Sequence, residues 1–581
     1  MSVERDSSTI LFIGSAVSVF EPSSLPMGQV MTELILDSLG SWDQESYVKL
    51  KSHLKNCPFE VLFDTAPSNM IPKLALFLAG IYNNDLVKPN FAHKTIAWLI
   101  SNKKIKSVIT TNYDKLIEKC DPSIKVISAE KQWVKYGTNY PFVLKLHGDA
   151  NDFSSNVSGL PAFRLSQEYV LDKWKIDAIR VTCEGSRLII LGYSGYDFDI
   201  CIHFKNVKLK DLIWFGRSEE PNPKQKEILQ ACNENDIAAI YKKEDLRSVL
   251  AKSCKQYRLE LLNLSVPQKS IIDVKRNFEK IFDLPLRKIW YSNLITSLGF
   301  RKDGKKLWCK IKDDVDLFNY NDLMQLSLAS CAFDQGEFLR AYEINNYLTK
   351  RAHDGKIKIL CRISKLEALR EGGYFFRFML EYWKTRKVIN TSTNRLVILR
   401  WIMLKSHFWI MVFTLFNDPI TKLIASYYLR QSSRIANDIQ EAECQIQSAR
   451  HSQLLGISFK LIEPWGGDLV KINSMYEHYY YPLARLIANR YLVIRYLKIK
   501  DIDNAQKAVE RIGYLLKDVD CLPELFKYDI LRAKIAKKKM DYISYVTLHR
   551  KIKKGYGSLQ YSPLRKAIFT LMIKLDLFST L

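Results

Sequence analysis

Nowhere in this 581-residue sequence do two cysteines stand in a C-x-x-C pair; the eleven present, at 57, 120, 183, 201, 232, 254, 309, 331, 361, 444 and 521, are scattered and odd in number. Structural zinc modules need closely paired cysteines, so that absence argues against one and leaves reduced thiols in a cytoplasm as the expectation. Long hydrophobic runs are missing too. The best membrane candidate, residues 396–416, carries Arg400, Lys405 and His407. Only 408–416 is free of charge or histidine, well short of the roughly 20 apolar residues a spanning helix needs. Residues 1–8 are polar and acidic, with no basic n-region or cleavage-like site, so no secretory signal is expected. With 47% hydrophobic and 26% charged residues the chain is neither disordered nor fibrous.

What is present in excess is positive charge: 87 Lys and Arg against 62 Asp and Glu. Residues 1–250 hold 30 basic and 30 acidic side chains, so the whole excess of +25 lies beyond residue 250. The length exceeds what one hydrophobic core usually organises, and two domains are expected, over 1–265 and 266–581.

The first part alternates strand-like and helix-like segments. Residues 8–13, 106–111, 142–146, 187–191, 211–215 and 237–241 read as short strands, most of them mainly apolar and several ending in glycine or a polar residue. Residues 29–39 have helical spacing, with Val30, Leu34, Ile35 and Leu39 on one side. Buried parallel strands feeding helices describe an open α/β, Rossmann-like sheet, whose ligand crevice lies beyond the carboxyl ends of the strands.

Past residue 265 nearly everything reads at helical period. Residues 326–348 place Leu328, Ala329, Ala332, Gly336, Ala341 and Leu348 so that a turn at Gly336 joins two amphipathic helices. Residues 490–516 and 528–548 repeat the idea. These patterns resemble tetratricopeptide-like hairpins that stack on a shared core, although their irregular period also fits a non-repetitive bundle.

Four polar motifs fall at strand ends: Gly14-Ser15-Ala16-Val17-Ser18, Thr110-Thr111-Asn112-Tyr113-Asp114, Lys145-Leu146-His147-Gly148 and Gly192-Tyr193-Ser194-Gly195-Tyr196-Asp197. A strand turning on glycine and small residues into a helix can bring backbone N–H groups to a pyrophosphate; it can equally be an ordinary turn. Asn112 can donate and accept at once, which suits a ribose hydroxyl or a water, and as an isolated residue it would serve as a turn or cap. His147 can take a proton near neutral pH, or be a packed, hydrogen-bonded histidine. Asp114 and Asp197 could orient hydroxyls or cap helices.

As a set, in this order, the four motifs resemble the sirtuin-like NAD hydrolases of bacterial antiphage defence, over about residues 8–250. The resemblance implies an NAD-binding domain in which Asn112 positions the nicotinamide ribose or the attacking water and His147 acts as base. It sets Gly14, Ser15, Ala16 and Ser18 against the pyrophosphate, Thr111 and Asp114 near the nicotinamide ribose, and Gly192, Ser194 and Asp197 on the adenosine side. NAD is then the substrate, and no metal is required. Two departures from the family pattern stand out: the usual Gly-Ala-Gly opening reads Gly14-Ser15-Ala16, and the four-cysteine zinc module of protein-deacylating sirtuins has no counterpart.

The basic helical part would then act as restraint and sensor, answering a phage or other protein trigger or homo-oligomerisation. Its densest cluster is Lys534, Lys537, Lys538, Lys539, Arg550, Lys551, Lys553 and Lys554. A solvated face, an acidic protein partner and, less favoured, nucleic acid all fit it; the aromatic runs 374–378 and 479–481 read as helix-packing core. The competing reading makes the whole chain a non-catalytic scaffold that senses NAD or ADP-ribose.

Overall fold

The computed structural model describes residues 8–256 and 273–566 apart from short stretches within them, the longest being 162–170, 312–324 and 440–481. The expected boundary at 265, together with Tyr196, Leu328 and residues 479–481, lies outside the described residues. The chain forms two compact units, Met1–Arg287 and Lys288–Leu581.

The first unit is built on a parallel sheet of seven strands: β1 (Thr9–Ile13), β2 (Ser107–Thr110), β3 (Lys125–Ile127), β4 (Phe142–Lys145), β5 (Arg187–Leu191), β6 (Asp211–Gly216) and β7 (Ala238–Lys243). Their spatial order is β3-β4-β2-β1-β5-β6-β7. The expected Rossmann-like arrangement is therefore present. Central strands bury both faces, which is why β1 reads Ile-Leu-Phe-Ile without alternation after Thr9, and why even Ser107 and Thr110 at the ends of β2 are buried. One core lies on each side of the sheet: Phe12, Leu144, Ile190 and Trp214 pack on one, Leu11, Val108, Ile189 and Phe215 on the other. Sequence periodicity missed β3, a three-residue edge strand in which only Ile127 is fully buried.

Strand order reverses around β1. The chain leaves it for β2, β4 and β3 on one side and returns to β5 on the other, so Ile13 stands between Thr110 and Leu191. Such a switch point, at the carboxyl edge, is where open α/β sheets hold ligands. The helix Val274–Ile281 belongs to this unit, with fully buried Phe278 set edge-on against Phe77 at 5.4 Å.

The second unit is mostly helical. Gly336 adopts φ +73° ahead of the helix Phe338–Arg351, as the small-residue pattern required. Helices Pro482–Lys498 and Ile502–Leu515 form a hairpin in which Asp501 caps the second helix by accepting from the Asn504 N–H at 3.1 Å. A further pair, Leu522–Lys538 and Tyr542–Gly557, follows. Among the described residues no helix is long and apolar enough to cross a membrane.

Candidate functional site

All four polar motifs leave neighbouring strands, in the spatial order β4, β2, β1, β5, from the carboxyl edge of the sheet. The turn after β1 follows the plainer of its two readings. Residues 15–18 form a single 3-10 turn, and the first long helix, Gly28–Gly40, starts ten residues later. No long helix N-terminus follows Gly14, so that part of the phosphate argument does not apply to this turn.

Backbone contact between the loops after β1 and β5 explains the glycines. The Gly14 N–H donates to the Leu191 carbonyl at 3.0 Å and the Ala16 N–H to the Gly192 carbonyl at 3.2 Å. A Cβ on Gly14 would lie 2.5 Å from the Gly192 oxygen, closer than real Cβ atoms come. Gly192 has φ +66°, and a Cβ there would meet the Ala16 methyl at 3.1 Å. The methyl that departs from the Gly-Ala-Gly pattern is thus accommodated because residue 192 has no side chain. Ser15 is exposed beside it.

Asn112 is the centre of the best-connected cluster. Its Nδ2 donates to the Gly14 carbonyl at 3.3 Å and to Ser18 Oγ at 3.3 Å, and its backbone N–H donates to Thr110 Oγ1. A carbonyl can only accept, so the contact with Gly14 fixes which end of the amide is nitrogen. Ser18 Oγ donates to Asp114 Oδ2 at 2.8 Å, and Asp114 Oδ1 accepts from the Leu116 N–H. Ser18 and Asp114 are both buried and engaged with one another, while Thr111 is half-buried between β2 and Asn112.

Two residues that sequence reasoning missed complete this cluster. Asn90 caps the helix Phe91–Ser101, its Oδ1 accepting from the Ala92 and His93 N–H groups, while its Nδ2 donates to the carbonyls of Val17 at 2.9 Å and Phe20 at 3.0 Å. The cap thereby fastens that helix to the loop after β1. His93 Nδ1 accepts from the Asn90 N–H at 3.2 Å, and its Nε2 lies 3.1 Å from Ser18 Oγ. An asparagine three residues before a polar side chain and an apolar run signals a capping box; nothing local signals the reach to Ser18.

His147 stands at the end of β4, the strand beside β2, and is 5% exposed. The loops around it are tied to the Asn112 loop: the Leu146 N–H donates to Thr110 O at 2.9 Å and the Ala150 N–H to Tyr113 O at 2.9 Å. Lys145, almost fully buried, donates to the Asp114 carbonyl at 2.7 Å and to Asp149 Oδ2 at 2.6 Å, and pairs with Glu118 at 2.6 Å. Burial works to neutralise this ammonium, but Glu118 and Asp149 outweigh it and hold its pKa above the ordinary lysine value.

The β5 loop is anchored separately. Tyr193 stacks on Trp214 with ring centroids 5.9 Å apart, Trp214 Nε1 donates to the Tyr193 carbonyl, and Asn222 Nδ2 donates to the Ser194 carbonyl at 2.9 Å. Ser194 is exposed and Asp197 half-buried on the same loop. The structure thus joins Gly14, Ser18, Asn112 and Asp114 in one hydrogen-bonded group and sets Gly192 against Ala16. Ser194 is held by Asn222, the residue that caps the helix Pro223–Asn233.

In the second unit, Lys537 and Lys538 on the helix Leu522–Lys538, Lys539 just after it, and Lys553 and Lys554 on the helix Tyr542–Gly557 are exposed. Lys534 departs from that cluster, since burial, with Lys498 nearby, pushes its pKa down to about 8. Lys551 is paired with Asp529 at 2.9 Å. Of the aromatic run at 374–378, Phe378 is core, but Phe376 is 82% exposed.

A parallel sheet with its polar loops gathered at the switch point defines a Rossmann-like domain, in which ligands bind at that edge. Residues 106–253 match the SIR2-like domain family, so the chain carries a sirtuin-like domain, of a family commonly made up of NAD-using enzymes. The match runs from β2 to the helix Leu246–Gln256 and contains Asn112, His147 and the β5 loop; β1 and residues 14–18 precede it. No curated protein matches the chain.

Proposed function

We propose that the first unit is an NAD glycohydrolase that cleaves NAD to nicotinamide and ADP-ribose. The observation that carries this reading is the Asn112 amide, held in one orientation at the carboxyl end of β2 within the SIR2-like match. Nicotinamide leaves as a neutral molecule and the ribose passes through an oxocarbenium-like state. The site has to orient the ring, exclude bulk water and admit one nucleophile. Asn112 would hold a ribose hydroxyl or that water, and His147 would take its proton. Gly14, the exposed Ser15 and Ala16 would lie along the pyrophosphate, with Gly192, Ser194 and Asp197 towards the adenosine.

The resemblance of the four motifs to antiphage hydrolases supports a role in which NAD depletion aborts growth after infection. The helical unit would restrain the enzyme until a protein trigger or self-assembly releases it. The lack of any C-x-x-C pair favours hydrolysis of the dinucleotide over protein deacylation.

The test is NAD content in cells expressing the wild type, Asn112→Ala and His147→Ala, with and without infection, beside turnover by the purified chains. Each substitution is expected to lower turnover at least 100-fold, the scale of a lost acid–base or positioning group. NAD loss that survives both substitutions sinks the catalytic assignment. Tight NAD binding by a wild type that never consumes it makes the chain a sensing scaffold instead.

A further inference from the structure

The hydrogen bonds around Asn112 form a chain whose direction is set at both ends by backbone groups. At one end the Gly14 carbonyl can only accept, and it receives one hydrogen of Asn112 Nδ2 at 3.3 Å. At the other end the Asn90 N–H can only donate, and it meets His93 Nδ1 at 3.2 Å. Nδ1 must therefore carry a lone pair, which places the ring proton of neutral His93 on Nε2. That Nε2 lies 3.1 Å from Ser18 Oγ. The Ser18 hydroxyl hydrogen goes to Asp114 Oδ2 at 2.8 Å. Ser18 Oγ thus accepts from His93 Nε2–H and from the second hydrogen of Asn112 Nδ2, at 3.3 Å. Both lone pairs and the one hydrogen of the hydroxyl are then committed.

Burial of the ring keeps it neutral, pushing its pKa down to about 4 against the opposing pull of Asp114. In this arrangement both amide hydrogens of Asn112 face the protein, and Oδ1 is the polar atom of that side chain left for a ligand.

We propose that His93 is a positioning residue for NAD cleavage: as the Nε2–H tautomer it fixes the Ser18 hydroxyl, which turns the Asn112 amide so that Oδ1 accepts from the ribose hydroxyl or the attacking water. This rests on the hydrolase reading above. His93 acts through Ser18 and Asn112: without its donor the Ser18 hydroxyl keeps its bond to Asp114 but loses one of the two hydrogen bonds it accepts, and with it part of what fixes the oxygen that the amide is anchored to.

The test uses the full chain with NAD as the probe. His93→Leu removes the donor, whereas His93→Gln supplies an acceptor for the Asn90 N–H and amide hydrogens at a similar reach. Expected for His93→Leu is a kcat lowered at least tenfold, with the calorimetric Kd for NAD within threefold of wild type. His93→Gln should recover a large part of the rate. Wild-type kcat in His93→Leu, or kcat and Kd lost in step, overturns the proposal.

Nitrogen-15 NMR of labelled histidine, with His93→Gln as the assignment control, reads the tautomer without turnover and does not need the Leu variant to fold. A neutral ring protonated on Nε2 at pH 7 is expected; a proton on Nδ1, or on both nitrogens, overturns the proposal. A wild type that consumes no NAD removes the hydrolase reading, and the tautomer then still decides whether the amide is fixed as described.

Discussion

An exposed histidine titrates near 6.5, while buried His93 has its pKa pushed down to about 4, with Asp114 facing it from the loop after β2. As pH falls the unfolded chain takes up this proton first. The contribution of the neutral ring is therefore complete above about pH 6.5 and is lost progressively as pH falls towards about 4, on the order of 3 kcal/mol in all. Melting temperatures of wild type and His93→Gln at pH 7.5 and pH 5 check this: the wild type should lose more on acidification, and equal losses would remove His93 as the cause. Lys145 makes a second residue-scale test. Lys145→Met leaves Glu118 and Asp149 facing each other beneath the Asp114 loop without a cation. Breaking a buried ion cluster from one side costs about 3 to 5 kcal/mol, so the urea midpoint should fall sharply.

The loops after β1 and β5 share one small volume. Gly192→Ala meets both a φ of +66° and the Ala16 methyl at 3.1 Å, and Gly14→Ala drives a methyl into the Gly192 oxygen. Each is expected to cost about 1 to 3 kcal/mol. Adding Ala16→Gly should return part of the loss in Gly192→Ala and none in Gly14→Ala, which denaturation of the double variants measures. The strands flanking this volume were legible from sequence because buried parallel strands are continuous apolar runs between polar ends. β3 was not, since three residues carry no period, and Gly14 with its small neighbours suits both a phosphate-binding turn and an ordinary one, so the sequence left the turn at 15–18 open. Asn112, Ser18 and Asp114 were legible as motif members; the partnership with His93, 75 residues from Ser18, was not. A capping box is a local pattern, and it says nothing of what the other ring nitrogen will meet.

At the scale of the molecule, the two compact units carry different charge. Residues 1–287 hold 38 basic and 34 acidic side chains, and residues 288–581 hold 49 and 28. The proposed restraint predicts that a chain ending at Arg287 consumes NAD faster than the untriggered full-length protein, and equal rates would remove restraint from the account. The partition also makes ionic strength a selective variable. A dinucleotide with two phosphates on the nearly neutral unit should bind with a shallow salt dependence, whereas a polyacidic partner releases roughly one counterion for each lysine or arginine it engages on the basic unit. Titrating salt should therefore strip such a partner from the helical unit while NAD stays bound to the sheet. The steepness of the first loss would count the cations that the partner touches.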